Sequence, residues 1–340
     1  MRTLWLHVGC HKTGSSFLQA SLAASVERLA AAGVRYPVDP DAGSAALIPV
    51  GNGLGVWRRL ADGPDWPEGE RSDLLFSSEI LHTRLRDPWA LASLRRRARA
   101  AGVERVVAVV YLRGPVDHAA SWYQQQVKRH GTTRFVAEFF EDYAYPATTV
   151  ALLDALAEVG ELRVRNYDVE RRRLAASLEE VLELPEGTLV TPAAAVNRSL
   201  TRAELGLQRR VNERLGPSGE LVADVLCEEF PAVPAETELP PEPVQRRMLA
   251  RQAAALDRLD ALLPEGQPLD RGTRSPPVGA GTPLTAAQLE AVVGRLVEEV
   301  RERRRGSPGH LVATRWTGTV RGARRLRGRA LRWVARRRAP

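Results

Sequence analysis

Up to Leu184 the chain alternates between two hydrophobic patterns. Thr3–Gly9 (TLWLHVG) is an unbroken apolar run closed by glycine. Ser16–Ala32 follows with Phe17, Leu18, Leu22, Val26 and Leu29 at helical spacing, so the two together predict strand, loop and helix. Leu74–Ser77 and Arg105–Leu112 (RVVAVVYL) are two further buried-strand patterns, the second rich in β-branched residues, and each is followed by a helical pattern. Glu161–Tyr167 (ELRVRNY) makes a fourth. Repeated strand–helix alternation predicts an α/β fold built on a parallel sheet with right-handed crossovers, and ligands then sit beyond the carboxyl ends of the strands.

Beyond Leu184 the character changes. Residues 185–200 and 216–283 are rich in proline and glycine, interrupted by helical patterns near 201–215 and 243–262, which predicts an irregular, mostly helical portion packed on the sheet. No repeat at a solenoid period and no heptad run is present. The expected organisation is one domain over 1–310, with an α/β core over about 1–200 and the helical portion over about 201–310, then a basic tail over 311–340.

Charge sharpens that division. The 340 residues carry a net charge of +8, yet residues 301–340 hold 14 arginines against one glutamate, and removing that +13 leaves the first 300 residues at −5. The body of the protein is mildly acidic, so its pI says nothing for nucleic acid. Within the tail, residues 315–340 contain ten arginines and no acid. Val320, Ala323, Leu326, Ala330, Leu331 and Val334 there recur at roughly helical spacing, a basic amphipathic pattern weakened by Gly318, Gly322 and Gly328. An anionic membrane surface, a polyanionic acceptor and nucleic acid are its three candidate partners; nucleic acid is not expected, because no base-reading module accompanies the tail.

At 44% hydrophobic and 26% charged, the composition is that of a globular protein, far from the disordered or disulfide-scaffold classes. No apolar run reaches the ~18 residues of a membrane span. The Leu4–Gly9 run is too short for a signal peptide, and the two cysteines, Cys10 and Cys227, could form at most one bond. The expectation is a cytoplasmic chain, peripheral at the inner membrane surface if the tail binds lipid. Only Lys12 and Lys128 are lysines. Where arginine is the rule, a lysine is the residue to look at.

Lys12 lies in GCHKTGSS, residues 9–16, between the first strand and the first helix. Backbone N–H groups at a helix start, with glycine permitting close approach, suit an anion. Gly9 and Gly14 have the spacing of a Walker A loop, but Ser15 stands where the lysine of an NTPase would follow, and the lysine has moved to position 12. A second element agrees with an anionic ligand. The strand RVVAVVYL ends in Arg113, where an NTPase needs a carboxylate to help hold Mg²⁺, and the planar guanidinium suits a second phosphate. Ser121, two helical turns on, offers a hydroxyl. A third element, LLFSSEIL at 74–81, delivers Ser77, Ser78 and Glu79 to the same edge of the sheet.

Together these motifs resemble the sulfotransferases that use 3′-phosphoadenylyl sulfate (PAPS), and in particular their bacterial carbohydrate-type members, which carry HKTG followed by two hydroxyl residues. The resemblance is strong over 4–20 and 105–128, and weaker over 72–82 and 161–204, where VRNYD and NRSLT stand. It implies a P-loop NTPase-like parallel sheet flanked by helices. It also implies an enzyme that moves the sulfuryl group of PAPS to a hydroxyl or amine of a carbohydrate, lipid-linked or other small acceptor. In that reading Lys12 stabilises the bridging oxygen and the leaving phosphate, while Thr13, Gly14, Ser15 and Ser16 bind the 5′-phosphate. Arg113 and Ser121 bind the 3′-phosphate, Glu79 is the catalytic base, PAPS is the co-substrate, and no metal is expected.

Other readings stand beside this one. A P-loop kinase or NTPase of a small substrate would share the loop, and a non-catalytic protein that binds anions or a membrane surface could keep a degenerate version of it. His11, His82 and His118 are alternative bases, although a helix-surface position is the expectation for His118; His7 and His130 are expected to be structural. Trp5, Trp122 and Tyr123 are expected to pack in the core or against helices. Trp57, Trp66 and Trp89 flank a Gly/Pro-rich segment where an acceptor could lie. Both cysteines are expected to be buried and unreactive. Arg304-Arg305-Gly306-Ser307-Pro308-Gly309 loosely resembles a 3′-phosphate clamp, or is a solvated basic run.

Overall fold

The computed structural model describes residues 2–37, 51–53, 55–56, 72–192, 198–279 and 281–305. The 311–340 tail, Trp57, Trp66 and residues 306–309 lie outside the described residues. The protein is α/β, with a five-stranded sheet flanked by helices. β1 (Thr3–Val8), β2 (Val34–Arg35), β3 (Asp73–Ser78), β4 (Arg105–Leu112) and β5 (Glu161–Asn166) lie in the order β2-β3-β1-β4-β5, and every pairing is parallel. Parallel strands covered on both faces must be apolar along their whole length, and the six residues of β1 are all buried.

Two apolar layers close the sheet. On one face Leu18 and Leu22 of α1 (Ser15–Ala24) and Leu29 of α2 (Val26–Ala31) pack with Trp5, Leu75, Val109 and Tyr111. Leu174 and Leu178 of α9 (Leu174–Val181), reached through the short α8 (Tyr167–Glu170), complete that layer. On the other face Leu4, Leu6, Phe76 and Val110 meet α3 (Glu79–Arg84), α4 (Pro88–Ala100) and α7 (Tyr145–Ala157). Alternate residues of each strand go to opposite layers, as the two-residue period requires. A third apolar cluster joins α5 (Pro115–His130), α6 (Val136–Glu141), α10 (Arg202–Leu215), α11 (Ala223–Glu229), α12 (Glu242–Arg251) and α14 (Ala286–Arg305). The remaining helix, α13 (Ala253–Asp260), packs on α7. Among the described residues no helix is long and apolar enough to cross a membrane.

Three local expectations change. The single helix predicted over Ser16–Ala32 is two, because Ser25 sits between them with its hydroxyl donating to Ser21 O at 2.7 Å, a bond that competes with the helical ladder. The pattern over 243–262 likewise splits at Gln252 into α12 and α13. β2, of two residues, carries too little pattern to be read from sequence.

The strand order decides where a site can form. β1 is followed by α1 and α2 on one face, whereas β3 is followed by α3 and α4 on the other, and β4 leads through α5 of the third cluster to α7 on that other face. The chain therefore opens a crevice beyond the carboxyl end of β1. The Gly9–Ser16 loop, Glu79 and Arg113 all stand at that edge.

Candidate functional site

The loop leaving β1 turns sharply. Lys12 has φ 61° and Gly14 φ 77°, so two left-handed residues bracket Thr13, and a left-handed lysine is rare enough to mark a constrained backbone. Such alternation points successive N–H groups into one concavity. No hydrogen bond within the described residues takes up the N–H groups of Lys12, Thr13 or Gly14. The glycines are required by space. A Cβ on Gly14 would lie 2.4 Å from Leu174 Cδ2, and one on Gly9 2.8 Å from Ser15 Oγ.

The hydroxyls of the loop serve the loop itself. Thr13 Oγ1 and Ser15 Oγ both donate to Cys10 O, at 2.7 and 3.1 Å, and both residues are buried. Any anion held here is therefore met first by backbone N–H groups. Ser16 is half-buried at the helix start. Cys10 lies under the loop, where burial pushes its thiol up to about 12, as expected of an unreactive cysteine.

Lys12 and Arg113 converge. Arg113, just beyond β4, donates from Nη1 to Lys12 O at 3.2 Å, and its guanidinium lies 5.5 Å from the Tyr167 ring centroid. Its Nε is 3.7 Å from Asp168 Oδ1, whose other oxygen accepts from Gly114 N at 2.8 Å. Lys12 Nζ donates to Gln125 Oε1 at 2.8 Å on α5. Burial, then the neighbouring charges of Lys128, Arg129 and Arg113, pull the Lys12 ammonium down to about 8, against the opposing pull of Glu79. Of the three further cations near Lys12, Arg129 is paired with Asp224 at 2.6 Å and Arg113 lies 3.7 Å from Asp168. Ser121 is half-buried one helical turn before Gln125, on the side of α5 that meets Lys12.

Glu79 is the first residue of α3, whose N-cap is Ser78, with Ile80 N donating to Ser78 Oγ at 3.3 Å. Ser77 is buried, its hydroxyl 2.7 Å from His7 Nδ1. The two serines are therefore structural, and the carboxylate emerges beside the loop. Glu79 Oε2 lies 2.9 Å from His11 Nδ1.

Around this pair stands a cluster of rings. His11 stacks on Trp122 at 4.1 Å, His82 on Tyr145 at 5.0 Å, and His118 on the other side of Tyr145 at 4.2 Å. His118 is buried at 2% exposure, which corrects the expected helix-surface position: α5 is covered on that side by Tyr143 and Tyr145, and Tyr143 Oη is 2.7 Å from His118 Nδ1. Burial drives the imidazoles of His7 and His82 down to about 4 and about 3, and that of His118 well below its ordinary value. All three are neutral at pH 7. Trp5 and Tyr123 are core residues, Trp122 is a half-buried packing partner of His11, and Trp89 is exposed away from this cluster.

Three contributors went unread in the sequence. Asp168 lies in the VRNYD stretch, Gln125 follows Ser121 by one turn, and Tyr145 has no sequence signal at all. Among the described residues no group of three or more His, Cys, Asp or Glu is arranged to hold a metal ion. A second concave surface, about 730 Å³ between α4 and α7, is lined by Arg86, Arg95, Arg96, Arg99 and Glu158, and no strand residue lines it. Comparison with known proteins finds no matching family model, no similar curated protein and no similar solved structure.

Proposed function

We propose that the protein is a PAPS-dependent sulfotransferase with a P-loop NTPase-like core. The observation that carries this reading is the junction of Lys12 and Arg113: a lysine inside the glycine loop and an arginine at the next strand end, the guanidinium bonded to Lys12 O at 3.2 Å in a crevice where burial and neighbouring cations pull the lysine ammonium down. A donor with phosphates on both sides of its ribose uses both groups. A nucleoside triphosphate would use the loop, but the residue that ends β4 is Arg113 and the carboxylate beside it, Asp168, is taken up by Gly114 N at 2.8 Å and by Arg113 at 3.7 Å, which speaks against the kinase or NTPase alternative.

In this reading the loop N–H groups and the start of α1 hold the 5′-phosphate, with Gly14 allowing the turn and Thr13, Ser15 and Ser16 shaping it. Lys12 leaves Gln125 to neutralise the charge that builds on the departing phosphate oxygen. Arg113, oriented by Asp168 and Tyr167, holds the 3′-phosphate, and Ser121 adds a hydroxyl from α5. The Glu79–His11 pair takes the acceptor's proton. The acceptor is a small molecule, glycan or lipid-linked metabolite, and the 315–340 tail is proposed to hold the enzyme against an anionic membrane surface on the cytoplasmic side. The third alternative, a non-catalytic anion binder, leaves the carboxylate–imidazole pair beside Lys12 without a purpose.

Calorimetry with adenosine 3′,5′-bisphosphate tests the reading. Lys12→Ala and Arg113→Ala are each expected to weaken binding by one to two orders of magnitude, the effect of losing a charge-assisted hydrogen bond of about 1.5–3 kcal/mol. Unchanged affinity in both variants would sink it. Removing 315–340 is expected to leave nucleotide affinity intact.

A further inference from the structure

We propose that His11 is the catalytic base and that Glu79, expected from sequence to be the base itself, is a positioning residue that orients the His11 ring and stabilises its cation. The inference rests on the sulfotransferase reading and assigns the proton within it. Its basis is the way the ring is held. Nδ1 faces Glu79 Oε2 at 2.9 Å, the ring plane lies against Trp122 at 4.1 Å with 24° between planes, and the backbone N–H donates to Tyr145 Oη at 3.2 Å. Carboxylate and indole, from α3 and α5, therefore hold the ring, and the Tyr145 phenol of α7 holds its backbone. With the Nδ1 proton directed at the carboxylate, the lone pair is on Nε2, and no bond to Nε2 is found among the described residues. The His11 side chain is 23% exposed, so this edge reaches the crevice and solvent.

Position and competition both favour the imidazole. His11 immediately precedes Lys12, so a base at Nε2 borders the place where the leaving phosphate is neutralised. Other titratable groups face the ring: His82 on α3, His118 and His130 on α5, Tyr145 on α7, Lys12 in the loop. His82 and His118 are buried and held neutral by desolvation, and each keeps its Nε2 enclosed, so neither can receive and release a proton as His11 can. A carboxylate that already accepts the imidazole N–H is oriented towards the ring. That is the arrangement by which an acid positions a histidine base and stabilises the imidazolium without taking the proton itself.

The step balances as follows. The acceptor oxygen forms a bond to the sulfuryl sulfur, and the bond from sulfur to the 5′-phosphate oxygen breaks. Its electron pair leaves on that phosphate oxygen beside Lys12. The acceptor's proton moves to His11 Nε2 and afterwards to solvent. The products are the sulfate ester and adenosine 3′,5′-bisphosphate.

The test uses the full chain, labelled PAPS and water as the acceptor, with turnover followed from pH 5 to 9 and adenosine 3′,5′-bisphosphate binding measured on every variant. His11→Gln and His11→Asn are expected to bind the bisphosphate within about threefold of the parent, which also shows that they are folded. Both are expected to lose at least about a hundredfold in turnover, together with the acidic limb of the rate profile. Glu79→Gln is expected to keep that limb, with a turnover loss of about tenfold. Glu79→Asp should restore part of it. If Glu79→Gln abolishes the acidic limb while the His11 variants keep it, or if neither position alters it, His11 is not the base and the assignment falls. A parent protein that binds no bisphosphate overturns the sulfotransferase reading and this assignment with it, whereas bound bisphosphate with an unaltered profile overturns the assignment alone.

Discussion

The Glu204 network of the helical layer and the sheet's carboxyl edge treat their buried polar groups differently. In the helical layer Glu204 is fully buried, and its oxygens take two guanidinium bonds from Arg198 at 2.7 and 2.6 Å, the Thr201 N–H at 2.8 Å and the Gln288 amide at 2.7 Å. The rest of the Arg198 fork reaches Leu226 O and Phe230 O. At the carboxyl edge, by contrast, Arg113 Nε and the Nε2 atoms of His7, His82 and His118 are buried without a hydrogen bond, and Lys12 is surrounded by cations. A buried polar group left unpaired costs stability, so a fold retains such groups where they meet a requirement other than stability. The Glu204 network joins its helices through a fully bonded carboxylate, while the edge leaves several buried polar atoms unpaired.

The strongest way to break this contrast is on its satisfied side. Glu204→Ala strips the carboxylate from a buried guanidinium and is expected to destabilise the protein by about 3–5 kcal/mol in denaturant unfolding, with nucleotide affinity unchanged wherever the variant is still folded. A loss below about 1 kcal/mol would mean that the network is not buried as described.

On the unsatisfied side the signature is a pH dependence. His7, His82 and His118 have folded-state values pushed below the ordinary 6.5, so between that value and about 3–4 the unfolded chain binds more protons than the folded one. Their contribution is complete above pH 6.5 and is lost as pH falls through this window. The melting temperature is expected to drop steeply on acidification, and His82→Phe, which keeps the stacking on Tyr145, to flatten that drop. An equal slope in the variant would exclude His82 as a contributor.

Lys12 gives a smaller, alkaline effect. Its ammonium titrates near 8 in the free protein, and a bound phosphate raises that value, so binding takes up a proton above pH 8. Affinity for adenosine 3′,5′-bisphosphate is expected to fall by at most about tenfold per pH unit there, and Lys12→Ala to remove the dependence. Smallest of all is Ser121→Ala, expected to cost the neutral hydrogen-bond increment of about 0.5–1.5 kcal/mol, read as a change of roughly two- to tenfold in bisphosphate affinity.

Much of the site was legible because it is local. Gly9, Lys12 and Gly14 announce a constrained turn through spacing alone, and Arg113 is legible because RVVAVVYL is a buried strand whose end can be counted. Glu79 was found by the same counting, but its partner was not: His11 lies 68 positions away, and no periodicity links them. Gln125 was hidden in a run of three glutamines, of which it is the one bonded to Lys12. His118 was misplaced because its helical face looks ordinary until α7 and the connection before it cover it with Tyr145 and Tyr143.

The sequence by itself therefore determined the α/β class, the strand ends and the residues that stand on them, since these follow from hydrophobic period and from the backbone preferences of glycine and proline. Only the tertiary structure decided which strand ends are neighbours. The β2-β3-β1-β4-β5 order sets β3 and β4 on either side of β1, and so brings Glu79 to His11 and Arg113 to Lys12. Strand order depends on packing between segments far apart in the chain, and His11, Lys12, Glu79 and Arg113 become neighbours only when those segments meet.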